Sequence, residues 1–345
     1  LINTELTLSD FAIAALSVQG RDILLSEKRI EGYGNFINKL WNASRFTIAS
    51  LPENFKYKEV THPTLISNQW ILGELTEAIE KTRKALDEMK FNEVADTLYQ
   101  FTWHEFCDWY LEFSKLPTTS SNEEEKNETL NTLIYVLDNI LKLLHPITPF
   151  VTEEIWQKLP VTKQKKSIMI ETFPNHEAMQ SPLGKRIPEV SQKIHALKGV
   201  ITTLRTIRTQ NQIAPSVKIS IHVWGKKEKL TSLESFDGQI KKLCNIEKID
   251  YSEIKDKKNI AYGVFENIEI GFSLEGLVDK NAEADRLSKE ITKARQDMEF
   301  LQKRLGDESY KLKAPPQLIE KDMAKLNMAK EKLFKLEKSL TDLQS

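Results

Sequence analysis

The chain has 345 residues, 40% of them hydrophobic and 29% charged, with a formal net charge of −1. That is enough apolar material for about two or three packed domains and excludes a disordered chain, while the even charge balance confines any nucleic-acid binding to local patches. There is no apolar run of about 18 residues and no signal-peptide pattern, and the two cysteines, Cys107 and Cys244, are too few for a disulfide framework or a four-cysteine zinc site. A soluble, cytoplasmic protein with reduced thiols is expected.

The chain opens on Leu1 rather than methionine and enters an amphipathic helix almost at once, as a piece of a longer protein would. Apolar residues then recur at helical spacing over residues 6–16, 26–48, 65–89 and 91–113. Residues 116–126, with Pro, Ser, Thr and a Glu run, predict a solvated loop, and residues 128–144 another helix. A short helix follows Thr148, its expected cap, with Pro149 in the first helical position. Helices joined by short loops predict a bundle over residues 1–184.

The pattern changes after Pro182. A helix over 187–210 leads into the alternating Val217, Ile219, Ile221 and Val223, a strand signal. Further strands are predicted at 246–251, 259–265 and 268–274, with helix between 228 and 244, so residues 185–276 read as a small basic α/β module. Between Lys185 and Lys229 there are ten Lys or Arg against two acids, and Lys198, Arg205, Arg208 and Gln212 fall near one helical line. Such a stripe either attracts phosphate or is merely solvated.

Residues 277–345 carry two heptad seams. The first runs through Ala284, Leu287, Ile291, Ala294, Met298, Leu301 and Leu305, the second through Leu326, Ala329, Leu333, Leu336, Leu340 and Leu343. Gly306 and the Pro315–Pro316 pair stand between them, which predicts an antiparallel coiled-coil hairpin. The whole is therefore expected to be mainly α: a helix bundle, a small α/β module and a terminal hairpin. A fold-back of this kind leans toward a monomer.

The segment Gly20–Phe46 is the most informative stretch. A 100° step per residue puts Ile30, Tyr33, Ile37, Leu40, Trp41 and Ile48 on one side of a helix. The other side collects Lys28, Gly32, Asn35, Lys39, Asn42 and Phe46. From the residues alone this line is either a solvated face, with Phe46 turning beneath the next loop, or a surface for an unstacked RNA loop. In the second case ammonium groups serve phosphates, amides serve base edges and a ring serves stacking.

The pieces NKLWNA and RF in this segment, FTWHEFCDWYLEFSK at 101–115 and LRTIRTQNQIAPSVKISI at 204–221 resemble the valyl-tRNA synthetase family of class I aminoacyl-tRNA synthetases, and HPITPFVTEEIW at 145–156 resembles a motif shared by related class I synthetases. The resemblance implies that the helix bundle is an anticodon-binding domain and that valine tRNA is the partner, with neither DNA nor membrane involved. It implies anticodon contacts at Lys39, Asn42 and Phe46, and at Lys28 where some members carry Arg; Asn35 shares their helix line. Gly34 stands where the family usually has Arg. The terminal hairpin resembles the family's tRNA-binding arm, which lies against the outer corner of the tRNA. That implies elbow or backbone contacts at Arg286, Lys293, Arg295, Lys303, Arg304, Lys311 and Lys313, with Arg205 and Arg208 of the basic module beside them.

His104 and Cys107 share a helical face, but no second pair accompanies them, so no metal is expected. Asp108 and Glu105 are expected to pair with basic residues of the bundle. No HIGH-like or KMSKS-like signature and no Gly-rich phosphate loop occurs, so the chain by itself is expected to have no catalytic residue and no cofactor, ATP and Mg serving the intact parent. The alternatives are the corresponding part of an isoleucyl or leucyl enzyme, or a structural helical and coiled-coil scaffold.

Overall fold

The computed structural model describes residues 4–18, 27–60, 62–175, 187–252, 260–274, 280–306, 322–323, 325–330 and 333. It is mainly helical, with one small sheet, and none of its described helices is long and apolar enough to cross a membrane. Chain contacts divide it into two compact units. One comprises residues 1–206, 218–255 and 263–270; the other comprises 207–217, 256–262 and 271–345.

The first unit is built on α1 (Thr4–Leu16), α2 (Glu27–Ala49), α3 (Ile66–Asp87), α4 (Phe91–Tyr99), α5 (Leu111–Ser114), α6 (Glu123–Leu144) and α7 (Pro149–Trp156). Its centre is the α3–α6 pair, where Ile71, Leu75, Ile79, Leu133, Leu137 and Ile140 are fully buried. The start of α3 has no capping side chain of its own. Glu128 of α6 fills that role, its carboxylate accepting from the Thr64 and Leu65 backbone N–H groups at 3.0 Å each, from the Thr64 hydroxyl at 2.6 Å and from Asn68 Nδ2 at 2.8 Å. A charged acceptor on donors that α3 leaves unpaired ties the two helices in register.

Three local expectations needed correction. The helix predicted over 91–113 is not uniform, because residues Gln100–Tyr110 form a π-helix between α4 and α5. Leu98, Thr102, Phe106 and Tyr110 are all buried along this stretch. The predicted loop 116–126 is shorter, since Asn122 accepts from the Glu124 and Glu125 backbone N–H groups and starts α6 at Glu123, where a Glu run suits the positive helix end. Thr148 precedes α7 without capping it; its hydroxyl donates back to the Leu144 carbonyl at 3.1 Å, although Pro149 does open the helix.

After the bundle, α8 (Pro188–Gln210) leads to a four-stranded sheet of order β2-β1-β4-β3, made of β1 (Ile219–Trp224), β2 (Ile246–Ser252), β3 (Ile260–Phe265) and β4 (Ile268–Ser273). The parallel β1–β2 pair requires a crossover. The segment predicted as helix between 228 and 244 supplies it as two short helices, α9 (Lys227–Glu234) and α10 (Asp237–Cys244), the latter ending on left-handed Asn245. β3 and β4 are joined by the two-residue turn Glu266–Asn267, with Glu266 at φ 50°.

In the second unit α11 (Lys280–Gly306) is one continuous helix. Ile291 and Ala294 are buried, and Met298, Leu301 and Leu305 are half-buried, so these positions of the first heptad seam form its less exposed side. Residues 322–323, 325–330 and 333 are helical too, with Leu326, Ala329 and Leu333 half-buried. Arg304 Nε lies 3.4 Å from the buried Asp322 carboxylate. The Gly–Pro turn and the rest of the second seam lie outside the described residues.

Candidate nucleic-acid interface

The rotation of α2 decides which of its residues are available. Phe36, Ile37, Leu40, Ala43, Ser44 and Thr47 are buried, and Tyr33, Trp41 and Ile48 sit at the margins. The core face is therefore turned from the predicted one toward Phe36. The cause is aromatic packing, since the Phe36 ring has Phe11 of α1 at 4.7 Å and Tyr99 of α4 at 5.2 Å, centroid to centroid. The exposed side becomes a strip of Asn35, Asn38, Asn42, Arg45 and Ala49, with Phe46 along one edge.

The expected contact residues divide on this geometry. Asn35 and Asn42 are exposed, and Phe46 is 38% exposed, with Lys115 Nζ 5.6 Å from its ring centre. Phe46 is thus partly accessible, with Lys115 lying over its ring. Lys39 is half-buried at the margin of the strip, where it binds the Asp108 carboxylate and lies 3.7 Å from the centre of the Trp103 ring. Lys28 is helical, but its side chain lies outside what is described. Gly34 lies within α2, half-buried.

The π-helix sets this margin. Its i to i+5 bonding brings residues five apart toward one side, so Trp103 and Asp108 both meet Lys39. Asp108 also receives His104, Nδ1 to Oδ2 at 3.2 Å. On the other flank Glu105 binds Lys198 of α8, whose ammonium is 4.1 Å from the Trp70 ring centre and 5.6 Å from that of Trp109. Asp108 thus pairs with a basic residue of the bundle as expected, whereas Glu105 pairs with Lys198 of α8, in the segment expected to belong to the basic module. Burial pushes the thiol of Cys107, between these two acids, up to about 12 against the opposing influence of Lys39, which disfavours the thiolate.

The basic line on α8 is less uniform than its sequence. Arg205 is exposed, with its guanidinium 5.9 Å from the Trp109 ring centre. Arg208 is a correction: it is 4% exposed and donates to the Ala214 and Val217 carbonyls at 3.1 and 3.0 Å, holding the loop after α8 rather than offering charge to a phosphate. On α11, Lys293, Arg295 and Lys303 are exposed and Arg304 faces Asp322. The side chain of Arg286, together with Lys311 and Lys313, lies outside the described residues.

Sequence reasoning missed Asn38 and Arg45. Both stand inside the quoted motif pieces, and a helical projection centred on Leu40 instead of Ile37 would have placed them on the open side.

Two family models match the chain: an anticodon-binding domain of tRNA ligase over residues 68–223, and a valyl tRNA synthetase tRNA binding arm over residues 279–344. Similar curated proteins are valine–tRNA ligases. That of Syntrophotalea carbinolica is 39% identical over 341 residues, covering 96% of this chain and 37% of the relative. That of Geobacter sulfurreducens is 38% identical over 321 residues, covering 92% and 36%. That of Thermotoga maritima is 36% identical over 336 residues, covering 97% and 37%. The chain thus spans little more than a third of the length of the relatives it matches.

Proposed function

A chain that matches both modules and aligns with valine–tRNA ligases along nearly its whole length belongs to that family, and on this premise we propose that it is the tRNA-binding portion of such a ligase. The bundle grips the anticodon loop of valine tRNA, with Asn35, Asn42 and Phe46 facing the nucleotides, Lys39 at their margin and Lys28 farther along the helix. Residues 277–345 fold back as a hairpin arm against the tRNA elbow, through Arg286, Lys293, Arg295, Lys303, Arg304, Lys311 and Lys313, with Arg205 of the basic module assisting. The fold-back is supported by the contact of Arg304, near the end of α11, with Asp322 on the next helical stretch.

The observation that carries the reading is the open amide-and-aromatic strip of α2, within a chain whose relatives are named for valine–tRNA ligation. Unstacked bases are held by stacking on a ring and by amides on their edges, while cations hold the backbone. In the intact parent, grip at the anticodon loop and at the elbow presents the acceptor end for ATP- and Mg-dependent aminoacylation elsewhere in the protein. The chain acts as a monomer in the cytoplasm and does not activate valine alone.

Equilibrium binding tests this. The chain should bind valine tRNA more tightly than the same tRNA with its anticodon bases exchanged, and affinity should fall steeply as salt rises. Equal affinity for both RNAs, or for an unrelated hairpin, would refute the assignment. Pyrophosphate exchange with valine should be absent.

A further inference from the structure

The charges around α2 are unequally available. Among the described side chains, Lys39, Arg45, Lys115 and Lys158 border or stand on its exposed strip. Lys39 is committed to Asp108, Lys115 Nζ is 2.5 Å from Glu112 Oε1, and Lys158 Nζ is 2.6 Å from Glu154 Oε1 while lying 5.2 Å from the Trp41 ring centre. Among the described residues Arg45 takes part in no ion pair, and it is exposed. An ammonium already neutralised by a carboxylate gives a phosphate little to bind, whereas a guanidinium without a partner offers a planar fork that matches two phosphate oxygens.

Arg45 also stands in line with amides. Asn35, Asn38, Asn42 and Arg45 follow one another at steps of three, four and three, which keeps them on one ridge of the helix, and all four are exposed. This ridge runs on the side of Asn42 away from Lys39 and toward Trp41 and Lys158.

Resting on the tRNA reading above, we propose that Arg45 is the phosphate contact of this face and that Asn38 is a base-edge contact. The bound single strand then crosses α2 from the Phe46–Lys115 edge to the Trp41–Lys158 edge. Lys39 is the strut that fixes the margin. Asn amides read base edges in pairs of donor and acceptor, and the Arg fork anchors the backbone beside them.

The test uses the full chain and a fluorescent valine tRNA, with affinity measured from about 50 to about 300 mM salt. Arg45→Ala should weaken binding about tenfold at low salt and lower the slope of log affinity against log salt by about one. Arg45→Lys should keep the slope while recovering only part of the affinity. Asn38→Ala should leave the slope unchanged and reduce the preference over the anticodon-exchanged tRNA. Wild-type affinity and slope in Arg45→Ala, while Phe46→Ala still weakens binding, would overturn this inference and leave the tRNA reading standing. If the wild-type chain does not distinguish the two tRNAs, both fall. Both positions are exposed, so matching urea midpoints for variants and wild type separate lost contacts from lost folding.

Discussion

Lys39 and Asp108, 69 residues apart in the chain, are joined by an ion pair that seals the seam between α2 and the π-helix, with Trp103 under the ammonium. The pair sits where the exposed strip of α2 meets the bundle, so it sets both the edge of the candidate interface and the charge that this edge presents. Its partners are 25% and 40% exposed, and solvent screening keeps the stability of such a pair below about 1 kcal/mol.

Asp108→Asn should therefore change the urea midpoint little. By freeing the Lys39 charge it should tighten tRNA binding about two- to fivefold at low salt, an electrostatic gain within the range of exposed pairs. Weaker binding would show that Lys39 must be held in place to make its contact.

Phe46→Ala removes the aromatic ring on the Lys115 edge of the strip. Loss of a base-stacking platform costs about 1–3 kcal/mol, and because no charge is lost the salt slope should stay as in wild type. Titration of the variant at two salt concentrations checks both statements; unchanged affinity would remove Phe46 from the interface.

Glu128→Ala leaves the donors of Thr64, Leu65 and Asn68 without their carboxylate. Bonds to a charged acceptor at a partly buried helix start are worth about 2–3 kcal/mol, so urea unfolding should shift by that amount, and amide exchange in the first turn of α3 should accelerate most.

His145 is held below its ordinary value of 6.5 by burial, partly offset by the Glu153 carboxylate, and Nδ1 lies 2.8 Å from the Thr152 hydroxyl. The folded state thus prefers the neutral ring and the unfolded chain binds the proton more readily. The stability this contributes is present above pH 6.5 and is lost as the pH falls through the folded value. Urea midpoints of wild type should fall between pH 7.5 and 5.5, and His145→Gln should fall less over the same interval.

Gly271 in β4 is required by the close approach of β3. A Cβ there would lie 2.6 Å from Ile260 Cγ2 and 2.8 Å from the Ala261 carbonyl oxygen, and a backbone oxygen cannot swing aside as a side-chain tip can. Gly271→Ala should cost about 1–3 kcal/mol and loosen the β3–β4 hairpin in hydrogen exchange.

Much of the architecture was legible before any coordinates. Helical spacing located α1, α2, α3, α6 and α8 to within a few residues, and alternation located all four strands. The motif pieces pointed to the family whose members proved similar along nearly the whole chain. The π-helix was not predicted, because apolar spacing in the sequence does not distinguish it from an α-helix over 11 residues. Asn38 and Arg45 were passed over because the projection of α2 was centred on the wrong residue.

Periodicity determined that α2 has an apolar and a polar side, since that depends only on neighbours along one helix. How far the helix is rotated depends on rings brought from α1 and α4, and only the tertiary structure decided it. The same holds for charge: the sequence shows Lys39, Arg45, Lys115 and Arg208 as equal cations. Packing commits the first to Asp108, 69 residues away, and the fourth to the Ala214 and Val217 carbonyls, while the third meets Glu112 one helical turn back and Arg45 is left outward. The Lys39 pair could not be read from chain order, because it depends on a distance that only the folded bundle sets.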